Sequence, residues 1–289
     1  MTRTALSIGL DAVSYGMVLF IISIGLSIMM GLMRVVNLAH GAFAMIGGYL
    51  ASYALKSVGV SYPLAIVLAF LGTIAISIPV EFLLYRRIYR RSDELTQILL
   101  TIGIAFVIIG VANFVFGPTS KSIPLPPALS GPFDLGFRMI PTHRLFVVAC
   151  GLCTAGLLWL LIDRTEFGIR LRAAVDNGDM AEALGIRTQV IFSATFALAV
   201  GLAAFGGVVG AELLPIEPFY ALRYMVTFLV VVSVGGAGSI VGALSASVLL
   251  GLADTTGKYL APEYGEFFFY LAVILVVFMF PNGLLGRKY

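Results

Sequence analysis

Val35-Val36-Asn37-Leu38-Ala39-His40-Gly41 leads into an unbroken apolar stretch, Ala42 to Leu55, of only 14 residues. At 1.5 Å per residue such a helix covers roughly 21 Å, short of the ~30 Å hydrocarbon core of a bilayer. To cross, the segment must carry Asn37 and His40 into membrane depth, where lipid offers no hydrogen bonds. Both side chains are therefore expected to face protein or a water-filled cavity.

The rest of the chain demands a bilayer. Of 289 residues, 60% are hydrophobic and 11% charged, with mean hydropathy +1.04. Soluble domains carry roughly 25% charged residues, so this chain cannot cover a water-exposed surface. Five apolar runs are long enough to span cleanly, at about 12–33, 63–84, 97–116, 144–162 and 190–213, and a sixth, about 264–281, is short but nearly uninterrupted. The first run is too long for a signal-peptide core and lacks an A-x-A cleavage site, so it reads as a retained helix. The expected fold is an all-α, polytopic, integral membrane helical bundle, a single domain over residues 1–289. It has about eight membrane segments, including broken or re-entrant helices near 35–55 and 224–255. The net charge of +3 is small and dispersed, which argues against nucleic acid as a partner.

Lys and Arg placement sets the orientation. Arg86, Arg87, Arg90 and Arg91 lie in the 85–97 link, Arg164, Arg170, Arg172 and Arg187 in the 163–189 link, and Arg287 and Lys288 in the tail. These regions are expected in the cytoplasm, with the N-terminus outside and the C-terminus inside. The opposite link, Gly117 to His143, holds six of the twelve prolines and favours extended backbone. It serves as a plain connector or as a platform for an extracytoplasmic partner.

Region 224–255 repeats the problem of the short segment. Met225 to Val234 is apolar, Gly235-Gly236-Ala237-Gly238-Ser239 interrupts it, and Ile240 to Ala253 resumes. With both flanking links outside, the region enters and returns, either as a re-entrant pair or as two short spans broken at the glycines, which then sit at or below the midplane. Paired short or glycine-interrupted segments point to a transport pathway, because glycine permits unwound backbone and half-helix N-termini can face a substrate carboxylate. Close helix packing through small residues explains the same glycines. The pathway candidates are Asn37, His40, Gly41, Gly47, Gly235, Gly236 and Gly238, with Glu212 placed to meet a substrate ammonium beside Pro215 and Pro218. His40 has a second role open to it, as a buried histidine satisfied by Asn37 or a carbonyl. Asp11, Glu81, Glu212 and Asp254 all fall near predicted span ends, where interfacial anchoring accounts for them.

The 163–189 link contains Arg170-Leu-Arg-Ala-Ala-Val-Asp-Asn-Gly-Asp-Met-Ala-Glu-Ala-Leu-Gly185-Ile186, which reads as two short helices around a turn. Asp176 or Asn177 can cap the second helix, Asp179 and Glu182 favour its N-terminal side, and Gly185 can end it. Met180, Ala183 and Leu184 share one face. So short a helix is marginal alone. Its apolar face needs either the protein's own inner ends or a groove on a soluble partner.

Asn37-Leu-Ala-His40-Gly41, the Ala173 to Ile186 link and Pro281-Asn-Gly-Leu-Leu-Gly286-Arg287 resemble three signatures of LivH-type permeases of bacterial branched-chain amino acid ABC transporters. The similarity spans essentially the whole chain in length, order and spacing. It implies a permease subunit of the bacterial cytoplasmic (inner) membrane, not an enzyme, that imports branched-chain or related small amino acids. It further implies a second permease subunit, homologous or identical, two ATP-binding cassette subunits and a solute-binding protein. Ala174, Asp176, Asn177, Asp179, Met180, Glu182, Ala183, Leu184 and Gly185 would then form the loop that couples to the ATPase. The chain has no G-x-x-x-x-G-K-[ST] motif, so ATP and Mg belong on the partner subunits and no cofactor is expected on this chain. His40 and His143 are the only histidines and Cys150-Gly-Leu-Cys153 is a lone pair, so no metal site is expected. An ion-coupled carrier or a channel acting alone is the competing reading.

Overall fold

In the computed structural model, which describes residues 2–86, 94–134, 139–280 and 283–285, helices dominate because an apolar run satisfies its backbone in lipid only by coiling on itself. Six helices among the described residues are long and apolar enough to cross a bilayer: Leu6–Leu32, Tyr62–Tyr85, Leu95–Phe116, Thr142–Arg164, Thr188–Val209 and Ile240–Leu260. In chain order the elements are α1 (Thr2–Leu32), α2 (His40–Tyr53), α3 (Tyr62–Val80), α4 (Glu94–Phe116), α5 (Pro127–Ser130), strands β1 (Pro132–Asp134) and β2 (Met139–Pro141), then α6 (Thr142–Arg164). The second half has α7 (Glu166–Asp176), α8 (Gly178–Ala183), α9 (Thr188–Val209), α10 (Tyr220–Gly235), α11 (Ile240–Leu260) and α12 (Gly265–Met279). Strands β1 and β2 pair antiparallel, with Phe133 opposite Ile140.

Two helices widen at their ends. Pro79 lacks an amide hydrogen, and α3 passes just after it into a π-helical turn, Glu81–Tyr85. That turn buries both Glu81 and Tyr85. Another π-helical turn, Ala54–Val58, extends α2 and stops at Gly59, whose φ of 75° is left-handed.

α1 is the central post. Its core residues from Val18 to Ile22 are fully buried, and it packs on α9, α10 and α11 as well as α6. Small residues allow this. A side chain at Gly16 would strike the Ser247 backbone, one at Gly251 the backbone of Ala12, and one at Gly31 the backbone of Gly238. Lipid tails are as apolar as leucine, so such close van der Waals packing replaces the hydrophobic drive available in water.

The bundle has two ends. The hairpin end carries β1, β2 and the proline-rich link, and is tied by the Asp11–Arg144 ion pair and by Lys56 Nζ donating to Ser122 Oγ at 3.1 Å. The α8 end carries α7 and α8 and gathers Arg86, which donates to Ser193 Oγ at 3.3 Å, with Glu81 accepting from Ser193 at 2.8 Å. The 163–189 link and the start of the 85–97 link thus share one end, opposite the proline-rich link. The arginines at 87, 90 and 91, and Pro281, Asn282, Gly286, Arg287 and Lys288 of the tail, lie outside the described residues.

Of the two forms expected for 224–255, two helices broken at the glycines are present. α11 runs a full 21 residues. The break lies at the α8 end, within the range expected for it, because Gly238 donates to Ser27 O at 3.0 Å and abuts Gly31 near the end of α1. The apolar run at 190–213 also ends earlier than its composition suggests. α9 stops at Val209, and Gly210 packs on Val18, close to the middle of the Leu6–Leu32 span.

Cysteines placed at Ser130 and Asp179, both exposed at opposite ends, should react with an impermeant maleimide from opposite faces of sealed vesicles. Labelling of both from one face would contradict this arrangement.

Candidate functional site

Residues 33–39 are not helical. The chain turns at Arg34, whose φ of 54° is left-handed, and runs back into the bundle until α2 begins at His40. Each exposed backbone group there needs a partner, since water is absent. Helix α4 and the segment itself supply them. Gln97 Oε1 of α4 accepts from Val36 N at 3.1 Å, Thr101 Oγ1 accepts from Leu38 N at 3.2 Å, and Asn37 Oδ1 accepts from Ala39 N at 3.0 Å. Tyr85 closes the set by donating its hydroxyl to Asn37 Oδ1 at 2.7 Å.

Asn37 is fully buried and His40 nearly so. His40 Nε2 lies 2.8 Å from Ile22 O, a carbonyl that can only accept, so this nitrogen carries the proton. Its Nδ1 is buried without a hydrogen-bond partner. The imidazole fits because position 25 is glycine: a Cβ there would come within 2.9 Å of His40 Cε1. Of the two surroundings expected for Asn37 and His40, protein is the one present. Leu26, Met225, Phe228 and Leu229 close over them and leave no water-sized space.

The remaining candidates fall into separate groups. Gly41 faces Ala221 and Phe228 of α10 at ordinary to tight contact, beside His40. Gly47 sits one face away, against Ala204 of α9, where any Cβ would lie 2.5 Å from the Ala204 Cα. Gly235, Gly236 and Gly238 are not near His40. Gly236 and Gly238 take φ of 90° and 82°, and Gly235 abuts Gly242 across the break. Leu284 N donates to Val234 O at 2.7 Å, so the chain after α12 also packs here. Gly235 and Gly238 make close backbone contacts at the α8 end. Glu212 is half exposed at the hairpin end, 3.9 Å from His143 Nδ1.

The coupling candidates are brought together as one small unit. Asn177, rather than Asp176, caps α8 by accepting from Met180 N at 3.0 Å. Gly185 has φ of 85°, and Ile186 N reaches back to Ala181 O at 2.9 Å, which ends the helix. Asp179 lies in the first turn, where the helix dipole favours it. Glu182 accepts from Thr188 Oγ1 and anchors α8 to the start of α9. Ala174 and Ala181 are buried, whereas Met180, Ala183 and Leu184 are exposed.

Tyr85, Gln97, Thr101 and Gly25 escaped the sequence reading. One signal was available: Gln97 and Thr101 interrupt an apolar run one helical turn apart, which places both on one face.

The family model described as "Branched-chain amino acid transport system / permease component" matches residues 9–277. The chain is 27% identical over 292 residues to the high-affinity branched-chain amino acid transport system permease protein LivH of Escherichia coli, covering 96% of this chain and 94% of that one. It is 26% identical to the permease protein BraD of Pseudomonas aeruginosa, with 96% and 94% covered, and 26% identical to a probable LivH of Methanocaldococcus jannaschii, with 95% and 89% covered.

Replacing Asn37 by leucine removes the acceptor of both the Tyr85 hydroxyl and the Ala39 N–H, at about 1–3 kcal/mol for a buried backbone N–H left unmet, whereas Tyr85→Phe leaves the Asn37–Ala39 bond in place and costs about 1 kcal/mol. Thermal unfolding in detergent should rank Asn37→Leu well below Tyr85→Phe, and equal midpoints would contradict the network.

Proposed function

We propose, from the premise that this chain belongs to the branched-chain amino acid transport system permease component family, that it is the membrane-spanning subunit of an ATP-driven importer for branched-chain or related small amino acids. It sits in the bacterial cytoplasmic membrane with its N-terminus and hairpin end outside and its α8 end in the cytoplasm. It pairs with a second permease subunit, homologous or identical. A soluble binding protein delivers substrate at the hairpin end, and two cassette ATPase subunits, which hold ATP and Mg, drive the cycle from the α8 end. Substrate passes along the contact between α2 and α10, by Gly41, His40 and Asn37, with Glu212 at the outer mouth. The water-free closure over His40 fits an occluded form of that path.

One observation carries the coupling to an ATPase. Met180, 59% exposed, lies on the six-residue helix α8 at the end of the bundle, and Leu184, 75% exposed, caps that helix beside Arg170 and Arg187. This face is uncovered, and the helix is held by the burial of Ala181 on its other side, by its caps and by the Glu182–Thr188 bond. An apolar patch in water suits a partner groove. A carrier working alone has no use for one.

Leu184→Asp changes only this exposed face, so membrane level should stay at wild type. Truncating a central interface contact costs about 2 kcal/mol or more, which corresponds to roughly 30-fold in affinity. ATPase co-purification, or transport per ATP hydrolysed, should fall accordingly. Wild-type co-purification together with wild-type coupling would remove α8 from the ATPase interface.

A further inference from the structure

Charged side chains at membrane depth are costly and mark functional sites. At the hairpin end the link between α9 and α10 does not rise to the rim. Leu214, Ile216 and Tyr220 are buried, and Gly210 rests on Val18. α10 therefore begins low in the bundle, and a cavity of about 370 Å³ opens there, within the usual size of small-molecule sites.

Its polar wall is formed by Arg223 of α10 and by Asp254 and Lys258 of α11, while Tyr15, Phe269 and Tyr270 supply aromatic surface. Every charge is already matched. Lys258 Nζ lies 2.7 Å from Asp254 Oδ2, and Arg223 Nη1 lies 2.8 Å from Glu217 Oε1. Asp254 is nearly buried, with 8% of its side chain exposed. Lys258 also stands 5.5 Å over the Tyr15 ring. Beside the cavity, Tyr220 packs against Tyr224 with ring centroids 4.8 Å apart, and its buried hydroxyl has no hydrogen-bond partner.

We infer that this cavity is an entry subsite for a free α-amino acid, with Asp254 receiving the ammonium and Arg223 and Lys258 the carboxylate. This inference rests on the import reading above and names a site for it. Glu217 does not line the cavity but pairs with Arg223, so the two cations and their two carboxylate partners sum to no net charge, which disfavours a ligand carrying charge of one sign. A zwitterion can exchange partners with the Lys258–Asp254 pair and leave no buried charge bare. The ligand's apolar side chain then lies against Leu213, Phe269 and Tyr270, which line the same cavity.

The test is uptake of radiolabelled L-leucine by membrane vesicles holding the assembled transporter. Arg223→Gln and Asp254→Asn should each raise KM for leucine at least tenfold or abolish uptake, at wild-type membrane level and with ATPase subunits still bound. Arg223→Lys should restore most of the uptake, which a loss of packing would not allow. Arg223 is exposed, with 62% of its side chain accessible, so it decides the matter if Asp254→Asn fails to accumulate. An unchanged KM in Arg223→Gln overturns the subsite and leaves the import reading standing. Wild-type uptake that persists without ATP but still falls in the variants overturns the import reading and keeps the subsite.

Discussion

A backbone that leaves the helix inside a bilayer must find every hydrogen bond within the protein, and residues 33–39 impose that requirement on the whole first half of this bundle. Gln97 and Thr101 have to sit on the inward face of α4, which fixes the rotation of that helix. Tyr85 has to reach Asn37, and the π-helical turn after Pro79 brings it there. Asn37 serves two donors with one oxygen, so the broken segment and the turn after α3 meet at a single atom. The broken segment thereby acts as a keystone for α2, α3 and α4.

Five of the six spans were legible in the sequence because length and apolarity decide whether a helix can cross; the sixth is α11, read from sequence as half of a broken segment, while the run at 264–281 forms a helix of only 15 residues. The Asn37–His40 depth was legible for the same reason, as an arithmetic shortfall in apolar residues. Depth within the second half was not. Pro215 and Pro218 signal a link but say nothing of how far it sinks, and only the contact of Gly210 with Val18 reveals that it lies low. The glycines at 235–238 carried two meanings that composition cannot separate. Gly236 and Gly238 take left-handed φ values, and Gly31 and Gly242 abut the break at one end of the bundle. The N-cap of α8 was readable as Asp176 or Asn177, and the structure selects Asn177, since both side chains are chemically able and only local backbone chooses between them.

Asp254 illustrates why a position near a span end is weak grounds for calling a residue an anchor. An anchor's head group reaches water, yet this carboxylate is nearly buried and held by Lys258. Glu81, placed likewise near a span end, is buried at the other end of the bundle and bound by Arg86 and Ser193. Both acids are therefore buried, ion-paired groups inside the fold. The distinction depends on neighbouring helices, which no single segment encodes.

α10 joins these features physically. Its first turns carry Arg223 and Tyr224 at the charged cavity, and its middle, through Met225, Phe228 and Leu229, closes over Asn37 and His40. Its last residue, Gly235, meets the glycine break. Only 16 residues long, it is too short to be held by length against both sides of a bilayer. Gly236, in a conformation that side chains rarely adopt, connects it to α11, which is itself locked to α1. A short helix bounded by a sunken link and a left-handed glycine can shift against its neighbours by changing a few backbone dihedrals at its ends. Any such shift would alter the charged cavity and the closure over His40 together, because the same rigid helix forms one wall of each.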